Sequence, residues 1–214
     1  MDVMIIKKIK KNIFLAVIGL IFLAGCASGH KYLMRPYNSP QSIAVLPFAN
    51  ETTSLDGAVL LRYLVWQELR AKGYDVLDLE ETDRILQEQG ITDGGQLSAI
   101  LEDELGKMLS VEALLYGTVK TFKHIMLGFY ENRVVEAEFK LVDAKSVALL
   151  WNDERDESTK RFRFGALDSV GALAGEIGKQ AAVATAKKVL FSSPLRFEAE
   201  RLINNSFRTL PNRW

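Results

Sequence analysis

The residue with the clearest chemistry is Cys26, the only thiol among 214 residues. It follows Leu23, Ala24 and Gly25 at the end of an apolar stretch over residues 13–23, which itself follows Lys7, Lys8, Lys10 and Lys11. A basic region, a short apolar core and small residues before a cleavage point form an export signal. Here the signal closes on cysteine in the pattern of a bacterial lipobox, so the thiol is expected to carry lipid and not to work in redox chemistry. Residues 13–23 fall well short of the roughly 20 needed to cross a bilayer core, which weighs against an uncleaved span.

The remaining chemistry-bearing residues are scattered. His30 lies in a stretch with no sustained period, and His124 stands alone in the body of the chain. Metal sites and catalytic triads need positioned companions, which neither histidine has in sequence. Asp103 and Glu104 are neighbours on a predicted helix and point apart, while Glu136 and Glu138 share one face of a predicted strand. The second pair either meets a cation or is simply solvated. Gly90, Gly94 and Gly95 join two predicted helices instead of following a strand, so they lack the context of a phosphate cradle. No catalytic residue, metal site or cofactor is predicted, and the chain reads as a non-enzyme.

Charge narrows the partners. The chain carries 27 basic and 27 acidic residues, and removing residues 1–25 takes away mostly positive charge. The mature part is mildly acidic, which argues against a nucleic-acid surface. With no second cysteine there is no disulfide, so stability must come from packing.

The elements that would position any site begin after Pro40. Residues 42–48 form a nearly continuous apolar run, the mark of a strand buried on both faces, with Pro47 ending it. A turn-rich stretch over 50–57 places Asp56 to cap a helix over 58–72, which Gly73 stops. A short strand over 74–77 completes a β-α-β opening, parallel to the first. Helices follow over 80–89, ended by Gly90, and over 96–109. Residues 111–122 read as another inner strand in which Gly117 marks close packing or a bulge. From 135 to 141 apolar and charged residues alternate, as in a half-buried antiparallel strand, and residues 143–146 form the turn into a partner over 147–154. A charge at Val45 is expected to destabilise the fold by several kcal/mol.

Two regions are candidate partner surfaces. In the first helix, Glu68 falls among apolar positions and Trp66 points away from Leu60 and Leu64. In the Gly- and Ala-rich stretch over 164–191, Val170, Ala174, Ile177, Ala181 and Ala184 share one sector of an amphipathic helix, which packs inside the molecule or against a partner. A short helix over 197–207 and a tail ended by Pro211 close the chain. The organisation predicted is a signal over 1–25, a lipidated cysteine and tether over 26–41, one α/β domain with a mixed parallel and antiparallel sheet over 42–191, and a terminal helix and tail over 192–214.

Several segments together resemble a family of bacterial lipoproteins of unknown function typified by a meningococcal surface-antigen lipoprotein. They are residues 23–26, 42–47, 68–74 around Lys72-Gly73-Tyr74, 89–92, 112–117, 141–143 and 149–151. The Gly/Ala-rich late segment matches as well, while the ending at Arg213-Trp214 diverges. The resemblance implies cleavage before Cys26 after diacylglyceryl attachment, and it brings no enzymatic activity. Because Ala27 and not Asp follows the cysteine, the similarity to known sorting systems implies an outer-membrane anchor with the domain facing the periplasm; the inner membrane or the cell surface are the alternatives.

More distantly the chain is similar to the amino-terminal domain of the periplasmic Tol protein and to the curli secretion lipoprotein. That likeness implies an α/β core. A curli-type pore needs added membrane hairpins with strands of about 9–11 residues, and the connection over 122–133 reads as too short for one. The function implied is a lipid-anchored, non-catalytic protein that helps assemble, anchor or regulate an envelope complex, through an envelope-protein partner or copies of itself. A component of a curli-like secretion channel is the second reading, and a periplasmic enzyme or ligand-binding protein the third.

Overall fold

Ile43, Ala44, Val45 and Leu46 are wholly buried, which requires cover on both sides of their strand. A computed structural model describes residues 33–34, 37–162 and 193–213, and in it that cover is supplied by two separate helical layers. Strand β1 (Ser42–Val45) pairs in parallel with β3 (Asp75–Val76) on one side and with β4 (Ala113–Leu127) on the other. The short β2 (Ala49–Asn50) also pairs in parallel with β4, further along it. Strands β5 (Tyr130–Asp143) and β6 (Leu149–Phe162) complete the sheet antiparallel, in the order β3-β1-β4-β5-β6. The sheet is mixed and flanked by helices, as the sequence predicts.

Alternation along β1 sends Ile43 and Val45 to one face and Ala44 and Leu46 to the other. The first face packs against Leu60, Leu61, Val65 and Leu69 of helix α1 (Leu55–Ala71) and against Leu202, Ile203 and Phe207 of the terminal helix, here α4 (Arg196–Phe207). The second face packs against Leu86 of α2 (Leu79–Glu88) and Leu105 and Leu109 of α3 (Glu102–Leu109). Phe139 and Trp151 lie within the first cluster with Phe207, their rings 5.4 and 4.9 Å from its centroid. The terminal helix is therefore part of the core.

Most predicted elements appear within a few residues of their expected bounds, and three details differ. Helix α1 starts earlier, with Ser54 at its N-cap and no side-chain capping bond, so Asp56 sits in the first turn and favours the helix only through its charge. The single helix expected over 96–109 is two pieces, a 3-10 segment (Gly94–Ala99) and α3, separated by extended backbone at Ile100 and Leu101. Glu102, Asp103 and Glu104 explain the restart, since three acids in one turn favour a helix N-terminus. Gly117 is a point of close packing, because a Cβ there would meet the Phe48 ring at 2.6 Å, whereas the register shift lies between Val119 and Thr121.

The third difference is the largest. Residues 122–133 are not a short connection. Strand β4 runs on to Leu127, turns at Gly128, whose φ is +56°, and returns as β5, with β6 following alongside to Phe162. The sequence hides this because His124, Lys123 and Arg133 interrupt the apolar alternation on which the strand reading depends.

Candidate functional site

The chain crosses the sheet in opposite senses on either side of β1. From β1 it passes through α1, on one face, to β3; from β3 it passes through α2 and α3, on the other face, to β4. The carboxyl end of β1 is thus a topological switch point, where the two covering layers part and leave a crevice. A groove of about 710 Å³ lies there, between α1, the start of α2 and residues 91–93.

Arg62 ties its floor. Its Nε and Nη2 donate to the Val45 carbonyl oxygen at 3.1 and 3.0 Å, and its Nη1 meets Asp83 Oδ1 at 2.7 Å. Burial lowers the Arg62 pKa while the Asp83 carboxylate opposes that shift. Asp78 caps α2 by accepting from the Glu80 amide at 2.9 Å, and Asp93 accepts from the Gly95 amide at 2.7 Å. Gln96 Oε1 reaches back to the Thr92 and Asp93 amides, closing a capping box that fixes this lip of the groove. Gly94 presses the same lip onto the backbone between Pro47 and Ala49, where a Cβ would come within 2.4 Å.

The opposite wall is apolar and open. Leu55 is 84% exposed and Val59 48%. Tyr63 and Trp66 stack at 6.0 Å and 24°. Trp66 is held in place by donating its Nε1 to the Leu77 carbonyl at 3.1 Å, and Arg70 lies 4.5 Å over its ring. Four carboxylates (Asp78, Glu80, Asp83 and Asp93) and one guanidinium line the groove. Arg62 is bound to Val45 and Asp83, and Asp78 and Asp93 carry local structure. The arrangement presents an apolar, aromatic wall opposite an acidic one, which suits recognition of a segment carrying apolar and basic side chains.

Of the residues singled out from sequence, Trp66 lies on this groove and Glu68 does not. Glu68 is half-buried, with its carboxylate 4.0 Å from Lys72 Nζ one turn on. His124 is not alone: its Nε2 lies 3.0 Å from Glu131 Oε1, which also accepts from Arg133 Nε at 2.7 Å. Asp103 pairs with Lys107 at 2.8 Å. Glu136 accepts from Thr121, and Glu138 meets Lys120 and Lys140 at 3.4 and 2.7 Å, so of this pair only Glu138 faces cationic groups, and these are lysines. Among the described residues no group of three or more His, Cys, Asp or Glu is placed to hold a metal ion. Cys26 and the stripe of Val170, Ala174, Ile177, Ala181 and Ala184 lie outside the described residues. Arg62, Asp83 and Tyr63 were missed; the signal that could have found them is the β-α-β opening itself, whose carboxyl-end crevice must be lined by the first helix.

Comparison with known proteins places this architecture. A family model described as "Putative lipoprotein GNA1162-like" matches residues 32–190. A curated relative described as "Putative lipoprotein NMB1124/NMB1162", from Neisseria meningitidis serogroup B, is 24% identical over 146 residues, covering 66% of this chain and 68% of the relative. The crystal structure of lipoprotein GNA1162 from Neisseria meningitidis superposes with a TM-score of 0.54 at 22% identity, covering 66% of this chain and all of that one. That likeness shows a shared mixed α/β fold.

Proposed function

Because the chain belongs to the GNA1162-like lipoprotein family, we propose that it is a lipid-anchored, non-catalytic envelope protein that works by association. Acylated Cys26 would hold it at the outer membrane, with the domain facing the periplasm. Its task in this reading is to help assemble, anchor or regulate an envelope complex. The observation that carries the associative part is the groove at the carboxyl end of β1, whose open wall offers Leu55, Val59, Tyr63 and Trp66 while Arg62, Asp78 and Asp93 are engaged in holding the fold. The partner's matching segment carries apolar side chains for that wall and basic ones for the acidic side.

A photo-crosslinking amino acid placed at Val59 in intact cells tests this, with the same residue at Lys145, exposed on the β5–β6 turn, as control. A discrete protein adduct from position 59 and none from 145 is the expected result. Adducts of equal pattern from both positions, or none from either, would remove the groove from the mechanism. Mass measurement of the mature N-terminus tests the anchor, and an unmodified Met1 would exclude it.

A further inference from the structure

The far ends of β4, β5 and β6 end in an apolar tip whose residues belong to neither of the two described core clusters. Met126 is 59% exposed and Leu127 66%, Ile125 lies exposed beside them, and Phe129 in the turn is 59% exposed. Cross-strand pairing puts Leu127, Tyr130 and Phe162 on one rung, with the Tyr130 and Phe162 rings 5.3 Å apart. Ile125, Asn132 and Lys160 form the rung two residues below on the same face, and Met126, Glu131 and Arg161 a rung of the opposite face.

Among the described residues the exposed charges around this tip have one sign. Lys123, Lys160 and Arg161 are exposed. The only acid between residues 122 and 133 or between 158 and 162 is Glu131, which is 2% exposed and bound to His124 and Arg133. An apolar end with a basic collar is complementary to a bilayer surface bearing anionic headgroups, where apolar side chains enter the headgroup and acyl boundary and cations stay at the phosphates. The dimensions agree. From Ile125 to the turn at Gly128 the hairpin advances about 10 Å, at roughly 3.4 Å per residue, and interfacial elements bury to about 5–10 Å. Below Ile125 the faces carry Lys123 and His124 with no apolar alternation, so the hairpin is suited to dip into a membrane and not to cross it.

We infer that the β4–β5 hairpin tip is a second membrane contact, inserting Ile125, Met126, Leu127 and Phe129 into the surface of an anionic bilayer. It is separate from any contact at the amino-terminal end of the domain. Leu33 pairs with Trp151 at the other end of β6 from Phe162, a separation of about 36 Å at roughly 3.3 Å per residue. The tip stands independently of the groove.

The test uses the full lipoprotein, purified from membranes and reconstituted into vesicles, carrying an environment-sensitive fluorophore on Leu127→Cys or on Val147→Cys in the opposite turn. In phosphatidylethanolamine–phosphatidylglycerol vesicles the label at 127 should shift to the blue and be quenched by brominated acyl chains, while the label at 147 is not. Phosphatidylcholine vesicles, or the double change Lys160→Glu with Arg161→Glu, should lose most of the quenching. Equal quenching at both positions, or none at 127, overturns the proposal. A blue shift that grows with protein concentration without quenching by lipid also overturns it and assigns the tip to a second copy of the chain. Quenching at 127 that is indifferent to lipid charge and to the double change overturns the role of the collar.

Discussion

The same three strands pass through two environments, and the contrast shows what decides burial in this sheet. In its near half β4 lies beside β1 and β2 with helices on both faces, so Leu114 and Leu115 are both buried although they point to opposite faces, while the near halves of β5 and β6 are packed on one face by the terminal helix. In their far halves no such pair occurs: Phe122 and Val135 are the last buried apolar residues, and beyond them Lys123, Ile125 and Leu127 are all exposed on one face. Strand pairing runs through both halves, with one register shift in each ladder. A ladder can thus run on past the last buried apolar side chain, while apolar side chains gain stability where helices pack on its faces.

The sharpest way to break this contrast is to truncate the near half. Phe139 packs between Phe48, at 5.8 Å, and Phe207, at 5.4 Å. Phe139→Ala should cost about 3–5 kcal/mol through lost contacts and the cavity left behind, and Val45→Asp a similar several kcal/mol by burying an ion with no partner. Denaturant melts would show both. If Phe139→Ala cost less than about 1 kcal/mol, the near half would not be the core.

Next in size is Arg62, which stitches α1 to β1 and to α2. Arg62→Met keeps the apolar stem but removes the donors to Val45 and the partner of Asp83. Charge-assisted hydrogen bonds are worth about 1.5–3 kcal/mol, so a loss of roughly 2 kcal/mol is expected. A crystal structure of the variant should keep the sheet and widen the groove.

These residues show where sequence is informative. The first strand, the first helix and the parallel pairing were legible because an unbroken apolar run and a helical stripe each encode burial directly. The break at Ile100 was not, because Leu97 and Leu105 are both buried and continue an apolar pattern across two separate segments. Arg62 was invisible for a different reason. A long charged side chain between apolar neighbours reads as solvated, and only the fold reveals a carbonyl and a carboxylate within its reach. Trp66 was found as a surface candidate, but its groove depends on α2, whose distance from α1 no local pattern encodes.

The two turns sharpen the contrast by a smaller amount. At the near end, Asp143 Oδ1 accepts from the Lys145 amide at 3.1 Å and from the amide and hydroxyl of Ser146, both at 2.7 Å. The Ser146 amide foremost holds the Asp143 pKa below its usual value, against a weaker opposing effect of burial. A depressed carboxylate contributes stability above its unfolded pKa of about 3.9, and that contribution is lost as pH falls through the lower folded value. Asp143→Ala should cost about 1 kcal/mol at neutral pH and remove this turn's share of the acid dependence. Carboxyl chemical shifts followed through the titration would check the direction. At the far end, a Cβ on Gly128 would meet nothing within 4 Å, and no comparable lock is present among the described residues.

The smallest expected effect is the most discriminating. Leu127→Asp places a charge on an apolar residue, which in the near half would cost several kcal/mol. At 66% exposure Leu127 keeps its water in the folded state, so little transfer free energy is lost. The carboxylate also lies across the sheet from no other acid, since its rung partners are Tyr130 and Phe162. The melt should therefore move by no more than about 0.5 kcal/mol, as for an ordinary surface substitution. A large loss would mean that the far half is a second core, and the division of the sheet into a half with a buried apolar core and a half with exposed apolar residues would fail. An unchanged melt with loss of lipid quenching at a neighbouring label would separate what this leucine does for folding from what it does at a membrane.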